Sequence, residues 1–247
     1  MSKETVVVAF SGGLDTSFCV PWLMERGYDV VTVFCDTGGV SADELAYIEQ
    51  RALELGAVRH VTADASEDIW EEVVVPLVWG GVFYQDQYPL LCSDRYLIVR
   101  KSLEVCDEIG TKLFAHGCTG MGNDQVRFDL TVRALGDYEI IAPIREIQRE
   151  VGNVREYELQ YLADRGFDVR AKTSQYTINE NLLGVTVSGS EVDAWQAPGD
   201  GTFQLTKPAA QWPDAPVPAR IDFEEGVATR LDGEAIDGPS LLRALNE

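Results

Sequence analysis

Histidine is scarce in this sequence, and cysteine occurs without an obvious partner arrangement. Only two of the 247 residues are histidines, His60 and His116, which are too few to supply most protein metal sites. No Ser-His-Asp arrangement suggests itself, so nucleophilic catalysis of that type is not expected. The five cysteines form an odd set without a C-x-x-C pair. We predict structural histidines and reduced thiols in a cytoplasmic protein.

Positive charge and long apolar runs are scarce as well. The chain has 20 Lys and Arg residues against 41 Asp and Glu residues, a net charge of −21, so we expect no nucleic-acid partner. The apolar run Val73–Phe83 is too short to span a bilayer and is interrupted by Pro76 and by glycines. The N-terminus lacks the basic and apolar regions of a signal peptide. These absences predict a cytoplasmic location and no membrane partner.

Over the first two thirds of the chain, β-like apolar runs alternate with helix-like segments. Continuous apolar strands separated by helices predict an α/β fold, a doubly wound parallel sheet covered on both faces. Ligands of such sheets bind beyond the carboxyl ends of the strands. Within this region, Ser41 and Glu44 form a capping box at the start of one helix, and Gly56 is placed to end it.

The composition changes near residue 170, where the chain becomes rich in Gly, Pro and Thr. Short strands are predicted at "VTVSG" and "TFQLT", followed by a hairpin that turns at Glu225 and Gly226. The stretch "GPSLLRALNE" predicts an amphipathic helix with Leu241, Leu242 and Leu245 on one side. We therefore predict one domain over residues 1–170 and a second, incomplete α+β domain over residues 171–247.

The stretch "SGGLDTS", from Ser11 to Ser17, directly follows the apolar run Thr5–Phe10. Backbone amides in a glycine-rich turn at a helix N-terminus favour a phosphate group, and Asp15 could hold the Mg²⁺ that accompanies nucleotide phosphates. The alternative is an ordinary turn with Thr16 or Ser17 as the helix N-cap. The spacing alone does not decide between them, and it matches neither the P-loop nor the dinucleotide-binding pattern.

In its strand-to-helix context, "SGGLDTS" resembles the pyrophosphate loop (PP-loop) of the N-type ATP pyrophosphatases. "AHGCTGMGNDQVRFD" (Ala115 to Asp129) resembles a signature of the argininosuccinate synthase family, as do "YQDQYPLLCSDR" and "SQYTINENLLGVT". The resemblance implies a carbon–nitrogen ligase of arginine biosynthesis that uses MgATP to adenylate citrulline and lets aspartate displace AMP. It also implies a nucleotide-binding domain over residues 1–170 and part of a synthetase and oligomerisation domain over residues 171–247.

The resemblance also assigns roles to residues. It implies catalytic roles for Asp15, Asp124 and Arg127, with Asp15 as the metal ligand. The implied ATP ligands are Ser11, Gly12, Gly13, Asp15, Thr16, Ser17, Cys35 and Gly117. The implied aspartate ligands are Thr119, Asn123 and Asp124, and the implied citrulline ligands are Tyr88, Ser93, Asn123, Arg127, Thr177 and Thr186.

The chain departs from the family pattern at several positions. Met121 stands where many members have lysine, Thr177 and Thr186 replace serines, and the segment after Ser93 is one residue shorter, so no role is carried onto Arg95. Family chains continue further, which leads us to expect a truncated synthetase domain, with homo-oligomers at full length or a complementary chain.

Simpler or different interpretations remain open at this stage. Asn123 and Asp124 could only cap a helix, and Tyr88 could be a half-buried core aromatic. Cys35, Cys92 and Cys118 could be small apolar side chains that fill space in the core. Two other functions are also compatible with the loop. One is a PP-loop enzyme that modifies tRNA, although the charge disfavours it, and the other is a catalytically incomplete ATP-binding remnant.

Overall fold

A computed structural model describes residues 3–168, 176–199, 202, 206–207 and 209–246 of the chain. Its described residues group into two units, one within Met1–Asp36, Val40–Asp64 and Asp94–Ser174, the other within Thr37–Gly39, Ala65–Ser93 and Gln175–Glu247. The boundary predicted at residue 170 falls among residues 169–175, outside the described part, and stays a prediction.

The helices and strands follow the alternation expected from the sequence. In chain order they are β1 (Thr5–Ala9), α1 (Leu14–Glu25), β2 (Asp29–Asp36), α2 (Ala42–Glu54), β3 (Arg59–Asp64), α3 (Ser66–Ile69), α4 (Val75–Gly80), α5 (Asp94–Ile109), β4 (Leu113–His116), α6 (Asn123–Leu135), β5 (Glu139–Ile141), α7 (Pro143–Ile147), α8 (Val154–Ala163), β6 (Thr177–Asn181), β7 (Gly184–Ser188), β8 (Ile221–Glu224), β9 (Val227–Leu231), β10 (Glu234–Ala235) and α9 (Gly238–Leu245). A π-helical turn, Trp70–Val74, joins α3 to α4.

The first unit is built on a five-stranded parallel sheet with the strand order β3-β2-β1-β4-β5. Successive residues of β1 point to opposite faces: Val6 and Val8 pack in a core with α1, α2 and α8, and Val7 packs in a second core with α5 and α6. Each fully buried Val contributes roughly 1.5–3 kcal/mol. Helices therefore cover both faces, and the predicted doubly wound α/β fold is confirmed.

The order of the strands brings two loops together. β1 and β4 are parallel neighbours, and Ala9 is paired with His116 at their carboxyl ends. The loop after β1 contains Ser11–Gly13, and the loop after β4 contains Gly117–Gly122. Both therefore lie at the edge of the sheet where ligands of doubly wound folds bind.

Local sequence signals account for the ends of several elements. Ser41 accepts a hydrogen bond from the backbone N–H of Glu44 at the start of α2, and Gly56, with φ +101°, follows the end of that helix, as predicted. In the second unit, β8 and β9 form the predicted hairpin, and both turn residues, Glu225 and Gly226, have positive φ. Such a turn matches the twist of the strands it joins.

The second unit contains two small antiparallel sheets. β6 pairs with β7, and β10, β9 and β8 form a three-stranded sheet. The predicted final helix is α9, whose Leu241 is buried in a core with Trp70, Val74 and Ala228. A Cβ on Gly238 would overlap the ring of Trp70. The strand predicted at "TFQLT" includes residues 203–205, which lie outside the described part. None of the helices that the structure describes is long and apolar enough to cross a membrane.

Candidate functional site

The loop after β1 holds its shape with its own hydroxyl groups. The backbone N–H of Ser11 donates to Thr16 Oγ1 at 3.3 Å, and the two hydroxyls lie 3.2 Å apart. The Ser17 hydroxyl donates to the carbonyl of Gly12 at 3.4 Å. Gly12 has φ +73°, a conformation that favours glycine. The loop is thereby folded around the N-terminus of α1.

The N-terminus of α1 has no side-chain cap. Its N-cap is Gly13, which makes no side-chain capping bond, so the expectation that Thr16 or Ser17 caps the helix is wrong. Both residues lie inside the helix. The first N–H groups of a helix have no partner within it and carry partial positive charge, which suits an anion. The hydroxyls of Ser11 and Thr16 stand beside these N–H groups.

Asp15 lies in the first turn of α1 and pairs with a second acid that sequence reasoning missed. Its carboxyl group contacts that of Glu158 in α8 within hydrogen-bonding reach. Glu158 is 1% exposed, and its Oε1 has no hydrogen-bond donor among the described side and main chains. Burial raises the pKa of both carboxyls, that of Glu158 to about 8, with nearby Asp15 adding to the effect. Burial and the neighbouring Asp15 thus favour the protonated form of Glu158, which can donate a hydrogen bond to Asp15.

One sequence signal could have identified Glu158. In α8 it falls three and four residues before Tyr161 and Leu162, which are both buried. A carboxyl at that helical spacing lies on the apolar face rather than the solvent face. Buried acids are uncommon unless they are paired, so this position called for a partner.

The loop after β4 comes close to the first loop. A Cβ on Gly117 would lie 3.2 Å from Thr16 Cγ2 and 3.3 Å from Asp15 Cβ, which is tighter than ordinary contact. Thr119 donates its hydroxyl to the carbonyl of Met121 at 2.7 Å. Gly122, with φ 98° and ψ 179°, is the N-cap of α6, and no side chain caps this helix. The interpretation of Asn123 and Asp124 as simple helix caps is therefore wrong.

Asp124 and Arg127 lie one turn apart on α6 and form an ion pair. Arg127 Nη1 donates to Asp124 Oδ1 at 2.8 Å. The other oxygen, Oδ2, accepts from Nε of Arg95 at 3.3 Å, and Arg95 also donates to Asp94 at 2.7 Å. Arg95 is 8% exposed, so it is a buried cation that orients the Asp124 carboxylate. Sequence reasoning gave Arg95 no role, and only the packing of α5 against α6 reveals this one.

His116, at the end of β4, belongs to a buried polar network. Its Nδ1 accepts from the backbone N–H of Cys118 at 3.1 Å, so Nε2 carries the proton and donates to Asp129 Oδ1 at 3.2 Å. Arg145 donates to both oxygens of Asp129, at 3.0 and 3.1 Å. The His116 hydrogen bond, followed by Arg145, holds the pKa of Asp129 well below its usual range. Burial lowers the pKa of His116, so this network carries a neutral imidazole with a structural role.

The other predicted ligands are distributed between the units. Cys35 is buried in β2 of the first unit. In the second unit, Tyr88 forms a β-bridge with Tyr84 and is 44% exposed. Ser93 donates its hydroxyl to the carbonyl of Leu90 at 2.6 Å, and Thr186 is exposed on β7, paired with Asn179 of β6. Thr177 begins β6, but its side chain lies outside the described part.

Among the described residues, a metal ion could be held by at most one or two His, Cys, Asp or Glu side chains at any one place. No group of three or more His, Cys, Asp or Glu side chains there is arranged to hold a metal ion. Mg²⁺ that accompanies a nucleotide needs only one or two carboxylates, because phosphates and waters supply its other ligands. Asp15, beside the uncapped N-terminus of α1, fits that requirement.

Comparison with known proteins agrees with the resemblance. Residues 5–168 match the model of the arginosuccinate synthase N-terminal HUP domain, and residues 176–247 match that of the C-terminal domain. The chain is 60% identical over 246 residues to the argininosuccinate synthase of Xanthomonas campestris pv. campestris, covering 100% of this chain and 62% of that protein.

Two further relatives extend this similarity. The argininosuccinate synthase of Xylella fastidiosa is 58% identical over 247 residues, covering 100% of this chain and 62% of that protein. That of Bacillus subtilis is 39% identical over 249 residues, covering 99% of this chain and 60% of that protein. The chain thus spans about three fifths of the length of these curated relatives. These matches favour the synthase over a tRNA-modifying enzyme, and the chain belongs to the argininosuccinate synthase family.

Proposed function

We propose that this protein acts in the ATP-dependent ligation of citrulline and aspartate to argininosuccinate, with release of AMP and pyrophosphate. The observation that carries the proposal is the N-terminus of α1, which has no side-chain cap and lies beside the hydroxyls of Ser11 and Thr16 at the carboxyl end of the central strand. Such a terminus is suited to the phosphates of a nucleotide. The specific reaction is inferred from the family to which the chain belongs.

In the proposed nucleotide site, the loop from Ser11 to Ser17 holds the phosphates through backbone N–H groups and hydroxyls. Asp15 would hold the Mg²⁺ of the nucleotide, which would neutralise charge on the leaving pyrophosphate. A hydrogen bond donated by protonated Glu158 opposes the rise that burial causes in the pKa of Asp15, and so favours the ionised form of Asp15. The absence of a side chain at Gly117 lets its backbone approach Thr16 closely. Gly117 is proposed to contact the nucleotide, and Cys35 is proposed to lie against the adenosine.

The proposed amino-acid ligands follow the pattern of the family. Thr119, Asn123 and Asp124 would bind aspartate. Arg127 suits the citrulline carboxylate because its planar guanidinium donates two hydrogen bonds at once, and Asn123 can both donate and accept. The other proposed citrulline ligands are Tyr88, Ser93, Thr177 and Thr186. Arg95 donates a hydrogen bond to Asp124 Oδ2 and so helps to orient this carboxylate. Arg127 uses one N–H group on Asp124 Oδ1, and its other N–H groups could bind a substrate carboxylate.

The proposed reaction has two steps. The ureido oxygen of citrulline attacks the α-phosphorus of ATP, the bond between the α and β phosphates breaks, and pyrophosphate leaves. The amine of aspartate then attacks the activated ureido carbon of the citrullyl-adenylate, and AMP leaves with the oxygen. A ureido oxygen is a weak nucleophile, so the residues act mainly by positioning and by electrostatic stabilisation.

The test is pyrophosphate release from MgATP by the 247-residue chain, with and without citrulline and aspartate. We expect release that depends on citrulline, and we expect Asp15→Asn to remove it together with Mg²⁺-dependent ATP binding. The matched control is Asp137→Asn, an exposed aspartate outside the site. ATP binding without release under any condition would instead identify a nucleotide-binding protein that lacks the ligase activity.

We further propose that the protein acts in the cytoplasm and assembles as a homo-oligomer at full length or with a complementary chain. The family supports the assembly, and the scarcity of long apolar segments in the sequence supports the cytoplasmic location. Light scattering coupled to size-exclusion chromatography would measure the mass in solution. A monomer at micromolar concentration, with no gain of activity as concentration rises, would contradict the assembly.

A further inference from the structure

A cleft of about 270 Å³ lies between the loop after β4 and the C-terminal end of α7. Its lining residues are Gly120, Met121, Arg145, Gln148 and Arg149. All five belong to the first unit. One water occupies about 30 Å³ of liquid, so the cleft has room for a group the size of one or two phosphates.

Two hydrogen-bond acceptors along the lining are already engaged. The carbonyl of Gly120 accepts from Gln125 Nε2 at 2.8 Å, and Gln148 Oε1 accepts from the N–H of Gly120 at 2.7 Å. The amide NH₂ of Gln148 keeps its donors. Arg145 uses two of its five N–H groups on Asp129. Guanidinium and amide N–H groups therefore remain available as donors in the cleft.

The charge of the cleft also favours an anion. The charge of Arg145 is balanced by Asp129. Arg149 is exposed and makes no ion pair or side-chain hydrogen bond with any residue that the structure describes. None of the five lining residues is acidic, so the guanidinium of Arg149 gives the lining a positive charge that no lining residue neutralises. Guanidinium and amide donors together suit the several oxygens of a phosphate group.

We propose that this cleft binds a phosphate-class anion, supplied either by the terminal phosphates of a nucleotide held in the Ser11–Ser17 loop or by free pyrophosphate. The loop that forms one wall begins at Gly117, which lies against Thr16 and Asp15 of that first loop. The free-anion source is independent of the proposed function, and only the nucleotide source rests on it. In this proposal, Arg149 is an additional cation that contacts the phosphates, beyond the groups of the Ser11–Ser17 segment.

The test measures binding of metal-free pyrophosphate, ATP and AMP to the 247-residue chain by calorimetry. Arg149→Gln should weaken pyrophosphate binding about tenfold or more, because it removes a charge-assisted contact. The matched control is Arg133→Gln, which makes the same charge change on α6 at an exposed position outside the cleft lining. Thermal unfolding would verify that both variants fold as the wild type does.

The three ligands separate the two sources. If ATP weakens by the same factor in Arg149→Gln while AMP does not, the terminal phosphates of the nucleotide are the ligand. If pyrophosphate alone weakens, the cleft binds the free anion. A chain that does not bind ATP, and whose pyrophosphate binding is weakened by Arg149→Gln, would support the cleft and contradict the proposed function. Absence of pyrophosphate binding, or unchanged pyrophosphate and ATP affinities in Arg149→Gln, would overturn the cleft proposal.

A gain of affinity gives a second, independent variant. Met121 is 74% exposed on the cleft lining, so Met121→Lys adds a cation without disturbing the core. We expect it to tighten pyrophosphate binding several-fold at low salt, with the gain shrinking as salt rises. An unchanged or lower affinity in this variant would contradict the proposal.

Discussion

The two loops at the carboxyl edge of the sheet are supported in different ways. The loop after β1 is held by hydrogen bonds among Ser11, Gly12, Gly13, Thr16 and Ser17. The loop after β4 also depends on a residue distant in sequence. Gln148, which directly follows α7, accepts a hydrogen bond from the backbone N–H of Gly120 through its side-chain Oε1. The first loop can be recognised in a seven-residue motif, whereas the support of the second exists only once α7 is in place.

The charges behind the two loops differ as well. Asp15, in the first loop's helix, contacts another acid, Glu158, and burial raises the pKa of both. Behind the second loop, Asp129 receives hydrogen bonds from His116 and Arg145, which lower its pKa. A carboxyl group thus favours its protonated form at Glu158 and its ionised form at Asp129. Neighbours, rather than residue type, decide the protonation state.

The largest expected effect would break the support of the second loop. Asp129→Asn removes the ionised partner of Arg145 and His116, and we expect a loss of about 2–4 kcal/mol in the free energy of unfolding. Urea denaturation at pH 7 would measure it, with Asp137→Asn, an exposed aspartate, as the control. An effect no larger than that of the control would show that the network is not stabilising.

The same network predicts a pH dependence with a definite sign. The pKa of Asp129 is lower in the folded protein than its ordinary value of 3.8. Its stabilisation is therefore fully present above the unfolded-state pKa and is lost as the pH falls through the folded-state pKa. The stability gap between wild type and Asp129→Asn should accordingly be constant from pH 5 to 7 and narrow below about pH 4.

The next effect concerns the backbone of the second loop. Gly122 has φ 98° and ψ 179°, a combination that is essentially restricted to glycine, so Gly122→Ala should cost about 1–3 kcal/mol. A Cβ there would meet no atom within 4 Å, so the cost would come from the backbone alone. Gly152→Ala is the control, since it also meets no atom and its φ is not positive. Equal stabilities of the two variants would contradict this reading.

A third change would give Asp15, beside the first loop, a neighbour that only donates hydrogen bonds to it, as Asp129 has behind the second loop. Glu158→Gln replaces the protonated acid with a neutral donor to Asp15, and we expect a gain of about 1–2 kcal/mol at pH 8. The folded-state pKa of Glu158 is raised to about 8 from an ordinary value of 4.5, so the wild type loses stability as the pH rises between these values.

The advantage of Glu158→Gln should therefore grow from pH 5 to pH 8 and then level off. Urea denaturation across this range would measure it, with Glu150→Gln, an exposed residue, as the control. A difference that does not vary with pH would show that Glu158 is ionised throughout the range.

The smallest expected effect is at the contact between the loops. Gly117→Ala would place a Cβ 3.2 Å from Thr16 Cγ2, so the neighbouring atoms must shift by a few tenths of an ångström. We expect ATP affinity to fall a few-fold and the free energy of unfolding to change by less than about 1 kcal/mol. Calorimetric titration with ATP would measure this effect. Unchanged affinity would show that the nucleotide does not approach the protein at Gly117.

Much of the fold could be predicted from local sequence patterns. Apolar runs such as that of β1 predicted the parallel sheet, Ser41 and Glu44 predicted the start of α2, and Glu225 and Gly226 predicted a hairpin turn. These features depend on residues that are near one another in the chain. The family resemblance also came from contiguous segments, and the family-model matches bear it out.

What the sequence by itself determined is therefore the sheet, the glycine-rich loop that follows β1, and the family. Only the tertiary structure decided that Glu158 meets Asp15, that Arg95 holds Asp124, and that Arg145, Gln148 and Arg149 line one cleft. The physical reason is that strand and helix periodicities, caps and turns act over a few residues. The protonation state and pairing of a buried charge depend instead on which distant side chains share its low-dielectric surroundings.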